Sequence, residues 1–145
     1  MKRKAHAVWK GTGQDGKGTL TTPSGVLDRT AYTFKARFED EDGKAGTNPE
    51  ELIGAAHAGC FAMALSFGLQ QDGHKAEELD VTATVSLDQV EGGFEIGSIK
   101  LDLTGKVHGI SEDQFKEYAQ GAKEGCPISK ALKAVPIALD ITFKS

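Results

Sequence analysis

Two cysteines, Cys60 and Cys126, are the residues best equipped to do chemistry in this chain. A thiolate can be a nucleophile, a metal ligand or one half of a disulfide, and its surroundings decide which. Cys60 lies within residues 56–62, AHAGCFA, an apolar run in which a buried cysteine acts as a small hydrophobe. Cys126 precedes Pro127. That position disfavours right-handed helical backbone and suits a helix N-cap, with the sulfur facing free N–H groups. Such a setting lowers a thiol pKa, so local physics alone makes Cys126 the better nucleophile. Other chemistries have less support. CxxC and HExxH are absent; His57 and Cys60 share a helix face but are two ligands where zinc normally takes four, and His6, His74 and His108 are scattered. GxSxG is absent, and Ser66 and Ser129 fall in helical segments with no evident base, so a hydrolase is unsupported. Residues 11–16 match GxGxxG, but a strand pattern follows where a dinucleotide site needs a helix, so the loop reads as a hairpin turn.

The elements that must position these residues follow from periodicity and punctuation. Residues 5–10, 17–22 and 31–38 alternate and read as three strands, the last carrying Arg37. A helix opens at Asn48, with Pro49 at its first position and Glu50 and Glu51 at the positive end of its dipole. Thr47 with Glu50, or Asn48 with Glu51, fits a capping box. The helix runs to about Gln71 and stops at Gly73. It is apolar nearly all round and rich in Gly and Ala, which implies a sheet on one side and a partner subunit on the other. Residues 79–90 and 94–107 form a long hairpin through Gly92-Gly93, with a break at Gly97 that suits a bulge. A capping box at Ser111 and Gln114 opens a helix that stops at Gly125; a short helix spans 128–133 and a last strand 136–143. The order is β-β-β-α-β-β-α-α-β, an α+β fold in a single domain, 1–145.

Composition narrows the function classes. The chain has 145 residues, a net charge of −4 and no long run of like charge, so neither nucleic acid nor an anionic membrane surface is an expected partner. With 39% hydrophobic and 26% charged residues it has the composition of a globular domain. The opening residues are basic without a following apolar run, unlike a signal peptide, and two distant cysteines fit a reducing, cytoplasmic setting. The apolar stretch 52–69 reaches the length of a membrane span, but its His57, Ser66 and three glycines favour a buried core helix.

Three segments carry a family resemblance: residues 47–66 (TNPEELIGAAHAGCFAMALS), residues 85–88 with Gly93-Phe94, and residues 122–132 (AKEGCPISKAL). They resemble the OsmC/Ohr family of thiol-dependent hydroperoxide reductases, and the likeness extends from Trp9 to the end of the chain. Around Cys60 and around Cys126, at Ile128 and Lys130, it is closer to the OsmC branch. The resemblance implies an OsmC-like fold with a long buried central helix, in an intertwined homodimer with two sites at the subunit interface. It also implies that Cys60 attacks an organic hydroperoxide and becomes a sulfenic acid, that Cys126 resolves this as an intramolecular disulfide, and that a dithiol of the dihydrolipoyl type reduces it. No metal or bound organic cofactor is implied. Arg37 matches the arginine that activates the cysteine and Glu50 the glutamate that orients it, with Arg29 a second candidate for the arginine. Glu50 and Cys60 lie about 15 Å apart along one helix, so a site lined by both draws one of them from the other subunit. Two rival readings keep the fold without the peroxidase: a module that binds a small apolar ligand, and a redox sensor.

Overall fold

A computed structural model describes residues 1–145, in two units, Met1–Leu52 and Ile53–Ser145. In the first unit, β1 (His6–Lys10), β2 (Lys17–Thr21) and β3 (Thr30–Tyr32) form an antiparallel sheet in chain order. The GxGxxG segment closes on itself: the Gly16 N–H reaches the Thr12 carbonyl at 2.9 Å, and the Asp15 N–H donates to Thr12 Oγ1 at 3.0 Å. It is a hairpin turn. The Trp9 and Tyr32 rings lie 5.3 Å apart over Gly18, where a Cβ would collide with both.

The expected strand over 31–38 needs correction. Only β3 is strand; Phe34–Phe38 forms a single helical turn, α1, so Arg37 stands on a helix. Thr33 makes the change, because its Oγ1 accepts from the Ala36 N–H at 3.1 Å and caps the turn. Phe34 and Phe38, one turn apart, then bring their rings to 4.8 Å.

The helix α2 (Pro49–Gln71) starts where Asn48 Oδ1 accepts from the Glu51 N–H at 2.8 Å, while the Thr47 hydroxyl donates to the Glu51 carboxylate at 2.8 Å. Asn48 is thus the cap. The helix ends in a Schellman motif: the Gly73 N–H bonds Gln70 O at 3.0 Å, the His74 N–H bonds Leu69 O at 2.9 Å, and Gly73 takes φ 80°. By length and composition alone α2 suffices to cross a membrane. Its side chains divide between two faces. His57, Phe61, Leu65 and Leu69 recur at four-residue spacing and are fully buried, whereas Met63 and Phe67 are 62% and 59% exposed. In this chain the second face is open, the side on which the sequence calls for a partner.

The second unit holds a sheet ordered β4-β5-β6, with β4 (Ala76–Val90) antiparallel and β6 (Ile137–Lys144) parallel to β5 (Gly93–Val107). The pairing steps from Ser86–Ser98 to Leu87–Ile96, which leaves Gly97 unpaired as a bulge. Inward rows cross all three strands, Val85-Ile99-Ile137, Ala83-Leu101-Leu139 and Val81-Leu103-Ile141. Phe61, Leu65 and Leu69 of α2 join them in one core with Phe115, Ala119 and Ala122 of α3 (Glu112–Gly125). On the opposite face Lys100 pairs with Asp102 and Asp140, each at 3.0 Å. Helix α3 has the expected capping box at Ser111 and Gln114, and α4 (Pro127–Ala131) follows it directly.

In the next row Leu79, Gly105 and Phe143 align, and a Cβ on Gly105 would overlap the Phe115 ring. Phe115 is wholly buried. Phe115→Ala is expected to cost about 3–5 kcal/mol in urea unfolding. Gly105→Ala should destabilise the wild type but much less so in the Phe115→Ala background; additive costs would contradict this packing.

Candidate active site

One residue both ends α3 and begins α4. The Cys126 N–H closes the last turn of α3 on Ala122 O at 2.9 Å, and the Cys126 carbonyl accepts from the Lys130 N–H at 3.0 Å to open α4. Pro127 lacks the N–H that would continue α3, and its fixed φ suits the start of a helix. Cys126 therefore turns out of the helical range, at φ −59° and ψ 125°. Its sulfur lies 2.7 Å from that of Cys60, in the middle of α2, and both are free thiols. Cys126 is completely buried and Cys60 partly exposed.

The two thiols differ in their readiness to ionise. Burial pushes the Cys60 thiol up, and its hydrogen bond with Cys126 adds to this, against a smaller pull from the Ile128 N–H. Burial also opposes ionisation of Cys126, but the Cys60 thiol, the N–H groups of Ser129 and Ile128, and the Ser129 hydroxyl outweigh it and bring Cys126 below the ordinary thiol value. The short sulfur contact allows either thiol to donate. Those donors leave Cys126 the more acidic of the two thiols. The expected N-cap bond needs correction: Cys126 is the N-cap by its backbone, but its sulfur makes no cap hydrogen bond of regular geometry and lies against Cys60.

Arg37 and Glu50 also meet. Arg37 Nη2 donates to Glu50 Oε1 at 2.7 Å, and its Nε reaches Oε1 and Oε2 at 3.2 and 3.3 Å. The guanidinium also lies 4.9 Å from the centre of the Phe38 ring. Glu50 is buried while the Arg37 side chain is 36% exposed, so the carboxylate fixes one edge of the guanidinium and leaves the Nη1 edge turned away from it. Arg29 is placed differently. It sits in left-handed backbone at φ 47° and pairs with its neighbour Asp28 at 3.6 Å, both side chains well exposed.

A third pair escaped the sequence reading. His57 Nε2 and Ser129 Oγ lie 2.7 Å apart, both buried, so Ser129 does have an imidazole beside it. The one signal for it was a histidine one turn before Cys60 in an otherwise apolar stretch. A hydrolytic role remains unsupported, because His57 Nδ1 has no partner to orient the ring as a base. Of the apolar side chains next to Arg37 and the two cysteines in sequence, Phe61 belongs to the core, Met63 is exposed, and Phe38 and Ile128 are half-buried. No three His, Cys, Asp or Glu side chains gather into a group able to hold a metal ion.

The fold and the site define an α+β protein that brings two free cysteines into contact at the end of one helix and the middle of another. Comparison with known proteins gives that class a family. Residues 40–140 match the family model for OsmC-like protein. The chain is 50% identical over 143 residues to peroxiredoxin OsmC of Escherichia coli strain K12, covering 99% of this chain and 97% of that protein. It is 31% identical over 126 residues to the organic hydroperoxide resistance protein OhrB of Bacillus subtilis, covering 86% and 88% of the two chains. The crystal structure of that OhrB superposes with a TM-score of 0.71 at 28% identity, over 96% of this chain and 98% of the other. An OsmC-like protein from Vibrio cholerae reaches a TM-score of 0.77 at 16% identity, covering 98% and 99%, a likeness of fold alone. The chain belongs to the OsmC family, and the names of its curated relatives, peroxiredoxin OsmC and organic hydroperoxide resistance protein, indicate a cysteine-based peroxidase.

The sulfur geometry predicts that a mild thiol oxidant such as diamide converts the reduced chain to an intramolecular disulfide without denaturant. Thiol titration should fall from two to none, with loss of two hydrogens by intact mass. Covalent dimers as the main product would contradict the pairing.

Proposed function

We propose that this chain reduces organic hydroperoxides through Cys60 and Cys126. The observation that carries the reading is the 2.7 Å approach of two free thiols from helices held by one core. The names of its relatives, a peroxiredoxin and organic hydroperoxide resistance proteins, support a role in detoxifying hydroperoxides. The Cys60 thiolate attacks one oxygen of the O–O bond, which breaks and releases the alcohol after protonation. The resulting Cys60 sulfenic acid loses hydroxide, taken up as water, to the attacking Cys126 sulfur, and the disulfide forms. An external dithiol of the lipoyl type supplies two electrons and two protons to restore both thiols.

Within one chain, burial raises the Cys60 pKa, so the peroxidatic step needs a cation from elsewhere. Arg37 is suited to this, because Glu50 holds one edge of its guanidinium and the Nη1 edge is left to face a thiolate and a peroxide oxygen. About 15 Å of one helix separates Glu50 from Cys60, so the Arg37–Glu50 pair serves the Cys60 of a second copy in a homodimer. The open face of α2, with Met63 and Phe67, supports that assembly and an apolar setting for the peroxide body. The proposed setting is the cytoplasm, where small dithiols keep such a couple reduced.

Peroxide consumption under excess dithiol tests the reading. Cys60→Ser should abolish it, and Cys126→Ser should give one turnover and then stall. Arg37→Ala should lower kcat/KM about 100-fold, the loss typical of one donor that stabilises developing charge, and Glu50→Gln about 10-fold. Sustained turnover by Cys126→Ser would remove the resolving role, and an unaffected Arg37→Ala would remove the arginine.

A further inference from the structure

Helix α4 is five residues long, too short to hold its form or its place by itself. A surface helix ordinarily seats itself by burying apolar side chains. In α4 the one buried side chain is Ser129, at 5% exposure; Ile128 is half-buried, and Pro127, Lys130 and Ala131 are exposed. The helix therefore docks through a hydroxyl, and the hydroxyl docks on His57: Ser129 Oγ lies 2.7 Å from Nε2 of that fully buried ring. The bond forms with either tautomer, Nε2–H donating to Oγ or the hydroxyl donating to Nε2. It leaves Nδ1 buried without a partner. Apolar side chains at both positions would fill this space with no polar atom unsatisfied, so packing alone does not call for the pair.

The pair stands one turn from the sulfurs on both sides. His57 lies one turn before Cys60 on α2, and Ser129 one turn after Cys126 in α4. Sulfur meets sulfur and ring meets hydroxyl, each at 2.7 Å. Cys126 is the hinge between α3 and α4, its N–H tied back to Ala122 O and its ψ outside the helical range. Beyond α4 the chain is tied again, where Leu132 and Val135 pack on the core and the Ile99 N–H bonds Pro136 O. Between those two ties, the contact with His57 fastens α4 to α2.

We propose that the His57–Ser129 hydrogen bond is the anchor that seats α4 on α2 and so holds the Cys126 sulfur in reach of Cys60 for the resolving step. Both are positioning residues that act through the placement of α4. The inference rests on the peroxidase reading above and concerns its second step. There the Cys126 sulfur attacks the sulfur of the Cys60 sulfenic acid, the S–S bond forms, the S–O bond breaks, and the departing hydroxide takes up the Cys126 proton as water. The step is intramolecular, so its rate follows how well the two sulfurs are held in register. Attack of the peroxide on Cys60 does not draw on α4, because Cys60 is carried by α2. The anchor therefore bears on resolution and on the stability of the disulfide, and leaves the first step as it is.

The disulfide equilibrium tests the anchor without any peroxide. The parent chain and its variants are equilibrated in dithiothreitol redox buffers, and the oxidised fraction is read from free thiols. Ser129→Ala should lower the effective concentration of Cys126 at Cys60 about tenfold, His57→Leu should match it, and the double variant should lose no more than either alone. His57→Gln, whose amide nitrogen falls near the place of Nε2, should recover part of the loss, and His57→Asn, whose amide falls near Nδ1, should not; a general loss of packing would not separate the two. Stopped flow with cumene hydroperoxide then divides the steps: in Ser129→Ala first-order disulfide formation should slow about tenfold while second-order oxidation of Cys60 stays within about twofold. An unchanged equilibrium, additive losses, or equal slowing of both steps overturns the anchor. Absence of any Cys60 oxidation in the parent chain would instead overturn the peroxidase reading, and the redox-buffer equilibrium would still decide whether the anchor exists.

Discussion

The helix break at Cys126 is the constraint on which the rest of the site depends. A continuous helix through residues 112–131 would tilt the Cys126 side chain back along α3, in the direction every helical side chain takes. Pro127 forbids that continuation, and Cys126 satisfies both helices with its backbone alone. Its side chain is then free for α2, where Cys60 waits at 2.7 Å. The same break sets Ser129 one turn into α4, opposite His57. One proline thus fixes both contacts between these helices.

That arrangement holds only if α2 and α3 are fixed against the sheet. Phe61, Leu65 and Leu69 seat α2 on the inward rows of β4, β5 and β6, and Phe115 seats α3 over Gly105. The Tyr118 hydroxyl adds a polar tie to Asp72 at the end of α2, at 2.5 Å. The core residues closest to the chemistry are spaced so that Phe61, next to Cys60, is fully buried while Cys60 remains partly exposed. A rigid buried face and a reachable sulfur come from adjacent positions on one helix, about 100° apart.

Much of this was legible because its signals are local. Asn48, Pro49 and Gly73 bound α2, Ser111 and Gln114 open α3, and Gly97 marks the bulge, each through a backbone need that a few neighbouring residues meet. Residues 31–38 misled for the same reason. Their alternation fits a strand, yet Phe34 and Phe38 also fit one helical turn, and the Thr33 cap decides between them. The meeting of Cys60 with Cys126 has no local signal. Only the resemblance to a family anticipated it, against the local physics that favours Cys126 as thiolate, a preference the single chain retains. The imidazole beside Ser129 lies 72 positions away in sequence, so no reading of its neighbours could supply it.

The central claim is that these two thiols are a peroxidatic and a resolving cysteine. The most direct test adds one equivalent of cumene hydroperoxide to the fully reduced chain and to its Cys126→Ser variant, then reads free thiols and intact mass. The account predicts loss of both thiols in the wild type and a single added oxygen, held as a sulfenic acid on Cys60, in the variant. Two unchanged thiols in the wild type, or the oxygen found on Cys126 of a Cys60→Ser chain, would contradict it.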